Sequence, residues 1–142
     1  MVQRWIDIDD SINLAEFFGQ DLPALRELAL FDSIINNTDR KIGHLLPSVD
    51  GHLFACDHGV TFHSEDKLRT VLWQWAGDDL TIEEISKVKS VAERVSSNPD
   101  LFAPHITPVE YLSLQARILR LLDEAKMPSP SDDWPPIPWP AY

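Results

Sequence analysis

Asp39 and Asp57 are the side chains whose placement suggests chemistry. The stretch that holds them reads Asn36-Asn37-Thr38-Asp39-Arg40-Lys41-Ile42-Gly43-His44, runs through Leu45 to Phe54, and closes with Ala55-Cys56-Asp57-His58-Gly59. Leu45-Leu46 and Leu53 to Cys56 are short apolar runs, and Asp50-Gly51 between them is a turn signal, so the pattern predicts a β-hairpin. A hairpin returns the chain to its start. Asp39, just before the first strand, and Asp57, just after the second, are therefore expected at the same end. Paired strands lie about 4.8 Å apart, close enough for both carboxylates to face one metal–phosphate site. Phosphoryl transfer uses such a layout. One carboxylate accepts a hydroxyl proton or orients the nucleophile, a second holds the Mg²⁺ that bridges nucleotide phosphates, and a third ligand a few residues after the base binds the other metal.

Asp39-x-Lys41-x-x-His44 followed by Asp57-His58-Gly59 parallels the kinase pattern Asp-x-Lys-x-x-Asn followed by Asp-Phe-Gly. Asn-Asn-Thr-Asp-Arg-Lys-x-Gly-His with the downstream Asp-His-Gly resembles the phosphatidylinositol 3-/4-kinase-like superfamily, most closely a bacterial, mainly actinobacterial, family of that kind. Lys67 to Gly77 and the Pro-Trp-Pro ending look like the same family, and Met1 to Ile6 resembles its segment just after the hinge between lobes. The resemblance covers most of the chain. It implies an α+β, mostly helical fold: a protein-kinase-like C-terminal lobe whose small β-hairpin carries the catalytic and metal-binding loops. It also implies ATP and Mg²⁺ (or Mn²⁺) as cofactors.

The resemblance assigns roles residue by residue. Asp39 is the catalytic base or nucleophile-orienting carboxylate. Lys41 neutralises charge on the transferred phosphoryl group. Arg40 belongs to the same catalytic loop and is expected to brace it through a carboxylate. His44 and Asp57 are the metal ligands, and Asn37, Lys41 and Gly59 the nucleotide contacts. Asn36 and Asn37 also hold the turn, since Asn tolerates left-handed backbone, and Gly59 gives backbone freedom after the metal ligand.

The chain departs from the kinase pattern in two ways. His44 stands where kinases place Asn; imidazole is a less usual Mg²⁺ ligand than oxygen, so binding through water or a preference for Mn²⁺ is expected. No glycine-rich loop or strand lysine precedes Asn36, although kinases hold ATP phosphates with both. The expectation is an isolated large lobe, incomplete without a small N-terminal lobe from upstream or from a partner chain. Two alternatives stand beside the phosphotransferase. One is a catalytically inactive kinase-like module that binds nucleotide or protein. The other is a metal-dependent hydrolase using His44, Asp57, His58 and His63, whose spacing matches no familiar zinc pattern.

Composition bounds these readings. The 142 residues suit one domain with a real core, and 44% are hydrophobic. The 23 acidic and 12 basic side chains give a formal charge of -11. That balance argues against nucleic acid and anionic membrane surfaces as partners. The single cysteine, Cys56, excludes an internal disulfide and reads as a buried thiol. No leader-like start and no apolar run approaching ~20 residues is present, so membrane insertion is not expected and the cytoplasm is the expected compartment.

The remaining elements must position the hairpin. Met1 to Ile8 reads as a short strand or connector with an exposed edge that needs a partner. Asp10 or Ser11 is expected to cap a short helix through Phe18, and Asp21 to cap a second with Pro23 in its first turn. Leu25, Leu28, Ala29, Asp32 and Ile35 follow helical spacing, with Phe31 and Ile34 widening the apolar face. Asp32 is either a boundary residue or the group that orients the Asn36–Arg40 loop. After Gly59, Val60 to Lys67 occupies the position of an activation segment, with Lys67 and Arg69 as candidate contacts for an anionic substrate. Trp73 and Trp75 are assigned to the core or an interface.

Thr81-x-x-Glu84 and Thr107-Pro108-x-Glu110 are capping boxes opening two amphipathic helices. Ile85, Val88, Ala92 and Val95 mark the first; Leu112, Ala116, Ile118, Leu119, Leu122 and Ala125 mark the second. Residues 1–127 form the lobe. Residues 128–142, with Pro128, Pro130, Pro135, Pro136, Pro138 and Pro140, form a Pro/Trp-rich tail pinned to it by Trp134 and Trp139.

Overall fold

The computed structural model describes residues 4–142, and its elements follow from local signals. The short helix α1 (Leu14–Phe17) starts at Asn13, whose side chain accepts the Ala15 N–H. Asp10 and Ser11, expected as caps, lie one turn too early; Ser11 bonds to Asp9 instead, at 2.6 Å. Helix α2 (Pro23–Ile35) begins with proline at its first position and Leu22 as a cap without a side-chain bond. Asp21 does not cap it. Its carboxylate accepts the Trp75 indole N–H at 2.9 Å.

Strands β1 (Leu45–Pro47) and β2 (Leu53–Ala55) form the expected antiparallel hairpin, Leu45 opposite Ala55 and Leu46 opposite Phe54. Its turn needs glycine at Gly51, where φ is 82°. The hairpin supplies the partner that the N-terminal edge requires: Asp9 N–H donates to the Pro47 carbonyl at 2.9 Å and Ile8 bridges Ser48. Residues 1–3 of the strand expected there lie outside the described residues.

Both capping boxes close as read. Thr81 and Glu84 exchange bonds at the start of α3 (Ile82–Ser97), and Thr107 and Glu110 at the start of α4 (Pro108–Glu124). Glu84 does more than cap. Its carboxylate takes a bidentate pair from Arg26 of α2, Nε at 2.7 Å and NH2 at 3.0 Å. The Arg26 bond holds the Glu84 carboxyl below the usual carboxylate range.

The core lies where α2, α3 and α4 meet: Leu25, Ala29 and Ile34 from α2, Val88 and Val95 from α3, Leu114, Ile118 and Leu121 from α4. The buried stripe of α4 is therefore not the one expected. Leu112 and Leu119 stay exposed, and Arg117 takes a buried place between Leu114 and Leu121. Phe31, expected on the apolar face of α2, is 45% exposed and leans on a loop instead.

The tail packs along the lobe, though not through both tryptophans. The Pro136 carbonyl accepts from Thr70 N–H at 3.0 Å and from the Trp73 indole at 2.9 Å. Pro138 is fully buried, and the Ala141 carbonyl accepts from Ile42 N–H at 2.9 Å. Trp139 is 90% exposed and pins nothing. The architecture is α+β with one two-stranded sheet among the described residues. Among the same residues no helix is long and apolar enough to cross a membrane.

Glu84→Ala removes a helix cap and takes the bidentate carboxylate from the Arg26 guanidinium, leaving it the exposed Asp78 at 3.4 Å and the Asp79 carbonyl. The expected loss is about 3 kcal/mol, read from a lower urea midpoint at unchanged slope.

Candidate functional site

Helix α2 ends where the site begins. Asn36 adopts the left-handed conformation at φ 53°, a geometry Asn accepts more readily than most residues, and its N–H closes onto the Asp32 carbonyl. The Asn36 side chain then ties down the loop that follows the hairpin. Its Nδ2 donates to the carbonyls of His63 (3.0 Å) and Glu65 (2.7 Å), and its Oδ1 accepts Lys67 N–H at 2.9 Å.

Beneath this turn lies a buried polar knot. The Arg40 and Asp32 side chains are both fully buried and meet through Nε–Oδ2 at 2.8 Å and NH2–Oδ1 at 2.9 Å. Arg40 NH1 donates to the Cys56 carbonyl at 2.8 Å, and NH2 also reaches His58 Nε2 at 2.8 Å. Asn37 completes the knot: Nδ2 donates to Asp32 Oδ1, and Oδ1 accepts Asp39 N–H, each at 3.0 Å. One residue at the end of α2 thereby fixes both flanks of the hairpin. The Arg40 main chain is held in turn by Arg69 and Val71, at 3.1 Å each.

Four side chains face outward from this base. Asp39 and Lys41 pair at 3.3 Å, with side chains 31% and 21% exposed. Lys41 N–H points to His44 Nδ1 at 3.4 Å, and His44 Nε2 lies 3.5 Å from Asp57 Oδ2. The ladder continues past the strands, since Cys56 N–H donates to the His44 carbonyl at 3.1 Å. Asp39, Lys41, His44 and Asp57 thus form a run of successive contacts at one end of the hairpin. Asp57 itself sits at φ 55°, a left-handed geometry that turns its 58%-exposed carboxylate outward.

The donor set suits a divalent cation only in part. Among the described residues no three His, Cys, Asp or Glu side chains gather to hold a metal by themselves. Mg²⁺ does not require that: it keeps several waters and takes one or two carboxylates together with substrate phosphates. The exposed Asp57 carboxylate fits such an ion. His44 fits it less well. An Nδ1 that accepts a backbone N–H leaves the ring proton on Nε2, pointing at Asp57. His44 in that form orients the carboxylate and has no free lone pair on Nε2 for a metal.

Several expected contacts take other roles. Arg40 is wholly buried and committed to Asp32, Cys56 and His58, so it braces the loop and reaches no substrate. Asn37, also wholly buried, holds Asp39 in place and is not exposed to a nucleotide. Gly59 does not supply a left-handed turn, and a Cβ there would meet Asp57 Oδ1 at an ordinary 3.6 Å. Lys67 is no free contact, being paired with Glu65 at 2.6 Å and lying 4.3 Å over the Trp134 ring. His63 Nδ1 accepts Glu65 N–H, in the loop that Asn36 holds.

His58 has a function the residue pattern alone did not disclose. Burial, reinforced by the Arg40 charge, pushes its pKa down. The neutral ring packs edge-on against Phe31, centroids 5.6 Å apart. Burial also raises the pKa of the half-buried Cys56 thiol, which favours the inert protonated form.

A curated relative, protein Rv2133c of Mycobacterium tuberculosis, is 42% identical over 119 residues; the match takes in 83% of this chain. The chain spans 42% of the length of that relative. No family model and no solved structure matches the chain.

Two expectations follow from the knot. Asp32→Ala and Arg40→Ala each leave a buried charge unpaired, so each should cost about 3–5 kcal/mol, and the double variant should cost less than their sum. Chemical denaturation of the three variants measures this. His58 carries fewer protons folded than unfolded. Its stabilising contribution is therefore complete above the ordinary histidine pKa and is lost as pH falls through the lower folded value. In His58→Phe the thermal midpoint should fall less than in the wild type between pH of about 7 and 5.5.

Proposed function

We propose that this chain is the large lobe of an ATP- and Mg²⁺-dependent phosphotransferase of the phosphatidylinositol 3-/4-kinase-like kind. The observation that carries this reading is the run of contacts Asp39–Lys41–His44–Asp57 along one end of a two-stranded hairpin. In this reading a hydroxyl oxygen of the acceptor attacks the terminal phosphorus of ATP and the bond to ADP breaks. Asp39 orients that hydroxyl and takes its proton. Lys41 offsets charge on the transferred group. Asp57 would hold Mg²⁺, which would offset the negative charge of the ATP phosphates, and His44, 3.5 Å away, would fix the orientation of the Asp57 carboxylate. Asp32, Arg40 and Asn37 supply the rigid floor.

The chain has only five glycines, each isolated, so cover for the ATP phosphates would come from a second lobe, upstream or on another chain. The acidic balance of the chain favours no polyanionic head group, and the reading makes no claim to a lipid acceptor. The alternative of an inactive module that binds nucleotide without transfer shares the same four residues.

Thermal stability with ATP plus Mg²⁺ or Mn²⁺, beside Asp57→Ala and Asp39→Asn, separates these outcomes. A ligand at about 100 times its dissociation constant should stabilise the folded state by about 2.7 kcal/mol. The metal-dependent shift should vanish in Asp57→Ala and persist in Asp39→Asn, which should lose transfer of labelled phosphate. Binding with no transfer in the wild type would favour the inactive module. A folded wild-type chain with no metal-dependent shift would remove nucleotide binding by this lobe.

A further inference from the structure

Away from the hairpin, Arg117 is anomalous. It stands three residues after Leu114 and four before Leu121, both in the core, and only 3% of it is exposed. Its Nε donates to the Ile34 carbonyl at 3.2 Å and its NH1 to the His63 carbonyl at 3.1 Å, with Asp66 Oδ1 at 3.5 Å from NH1. NH2 is buried and has no partner. An unmatched guanidinium N–H in the interior is costly. Burial lowers the Arg117 pKa, and Asp66 only partly opposes that effect.

Arg117 lines a cavity of about 90 Å³ between α2, α4, the loop at Asp66–Leu68 and the tail. One water needs about 10–15 Å³ on this scale, so there is room for a group larger than a single water. Arg120 and Lys126 also line it, against the carboxylates of Asp66 and Glu124, and Trp73, Trp134 and Ser129 complete the wall. Arg120 is held by Asp66 at 2.7 Å and Lys126 by Asp79 at 2.7 Å. The lining carries three cations and two anions in a chain whose formal charge is -11.

From this geometry we infer a second ligand site: a small oxyanion, phosphate or carboxylate, accepts the free Arg117 NH2 donor, with Arg120 and Ser129 beside it. The site does not depend on the catalytic reading, because among the described residues no hydrogen bond or ion pair joins its lining to the side chains of Asp39, Lys41, His44 or Asp57. Its ligand joins α4 to the tail and to the loop that Asn36 holds.

The test titrates inorganic phosphate, and separately acetate, into the full chain in EDTA at fixed ionic strength, with chloride as control. Tryptophan fluorescence and thermal midpoint are the readouts, since Trp73 and Trp134 line the cavity. A saturable response is expected to at least one probe, and the tighter probe identifies the oxyanion. The response should survive Lys41→Ala and should weaken about tenfold or more in Arg117→Lys, which keeps a charge and loses the free nitrogen. Arg120→Ala and Ser129→Phe change exposed positions at the mouth and should weaken it too, which keeps the test decisive if Arg117→Lys fails to fold. No saturable response in the folded wild type would mean that the cavity holds water alone. A response unchanged by the two mouth variants would place the anion elsewhere. Either result overturns the inference.

Discussion

Asp32 and Arg40 meet through two hydrogen bonds with neither side chain exposed, and every part of the hairpin end is referred to that pair. Removing a guanidinium and a carboxylate from water is costly, and a buried pair often adds little net stability over an apolar one of similar shape. What this pair adds is position. Arg40 binds the carbonyl just before Asp57 and the ring just after it, while Asp32 binds the Asn37 that holds Asp39. The two segments flanking the hairpin are thereby indexed to the C-terminal turn of α2. Slippage of the first by one residue would leave a buried charge with no partner, and slippage of the second would strip the guanidinium of the Cys56 carbonyl and the His58 ring.

The charge layout divides the molecule. At the hairpin end, Lys41 is paired with Asp39, and the ring of His58 is kept neutral by burial and by Arg40. Protonating that ring would set a second positive charge against the guanidinium. On the other side of Asn36, cations outnumber carboxylates around the Arg117 cavity. Asn36 lies between the two regions, buried, capping α2 and holding three main-chain groups of the loop. Local arrangement, and not net charge, decides where an anion meets donors in this strongly acidic chain.

The sequence disclosed much of this because the signals are local. Each Thr-x-x-Glu box started a helix where it was read, and Asp50-Gly51 turned the hairpin between Leu45 and Ala55. The flanking carboxylates were legible from that turn alone. Misreadings arose where a residue had two suitable partners and only tertiary packing chose between them. Asp21 could cap α2 or accept from Trp75, which is distant in sequence, and it took the indole. Arg117 was hidden by the convention that charged residues face solvent. Its place in the Leu114–Leu121 stripe was the available signal, but Leu112 and Leu119 offered a competing apolar face. The phosphotransferase reading proposed for Asp39, Lys41, His44 and Asp57 rests on their order and contacts.

The contact between Ile42 and Ala141 has a bearing on the order in which the molecule is made. The 3-10 turn that carries His44 is clasped by residues synthesised almost a hundred positions later. At equilibrium the length of that closure matters little, because its entropic cost rises only logarithmically. During synthesis it matters more, since the N-terminal parts of a chain emerge first. The buried ion pair can form as soon as the loop after α2 is out. The backbone clasp on the neighbouring turn must wait for the proline-rich segment, so this end of the protein is assembled in two instalments, polar floor first and outer restraint last.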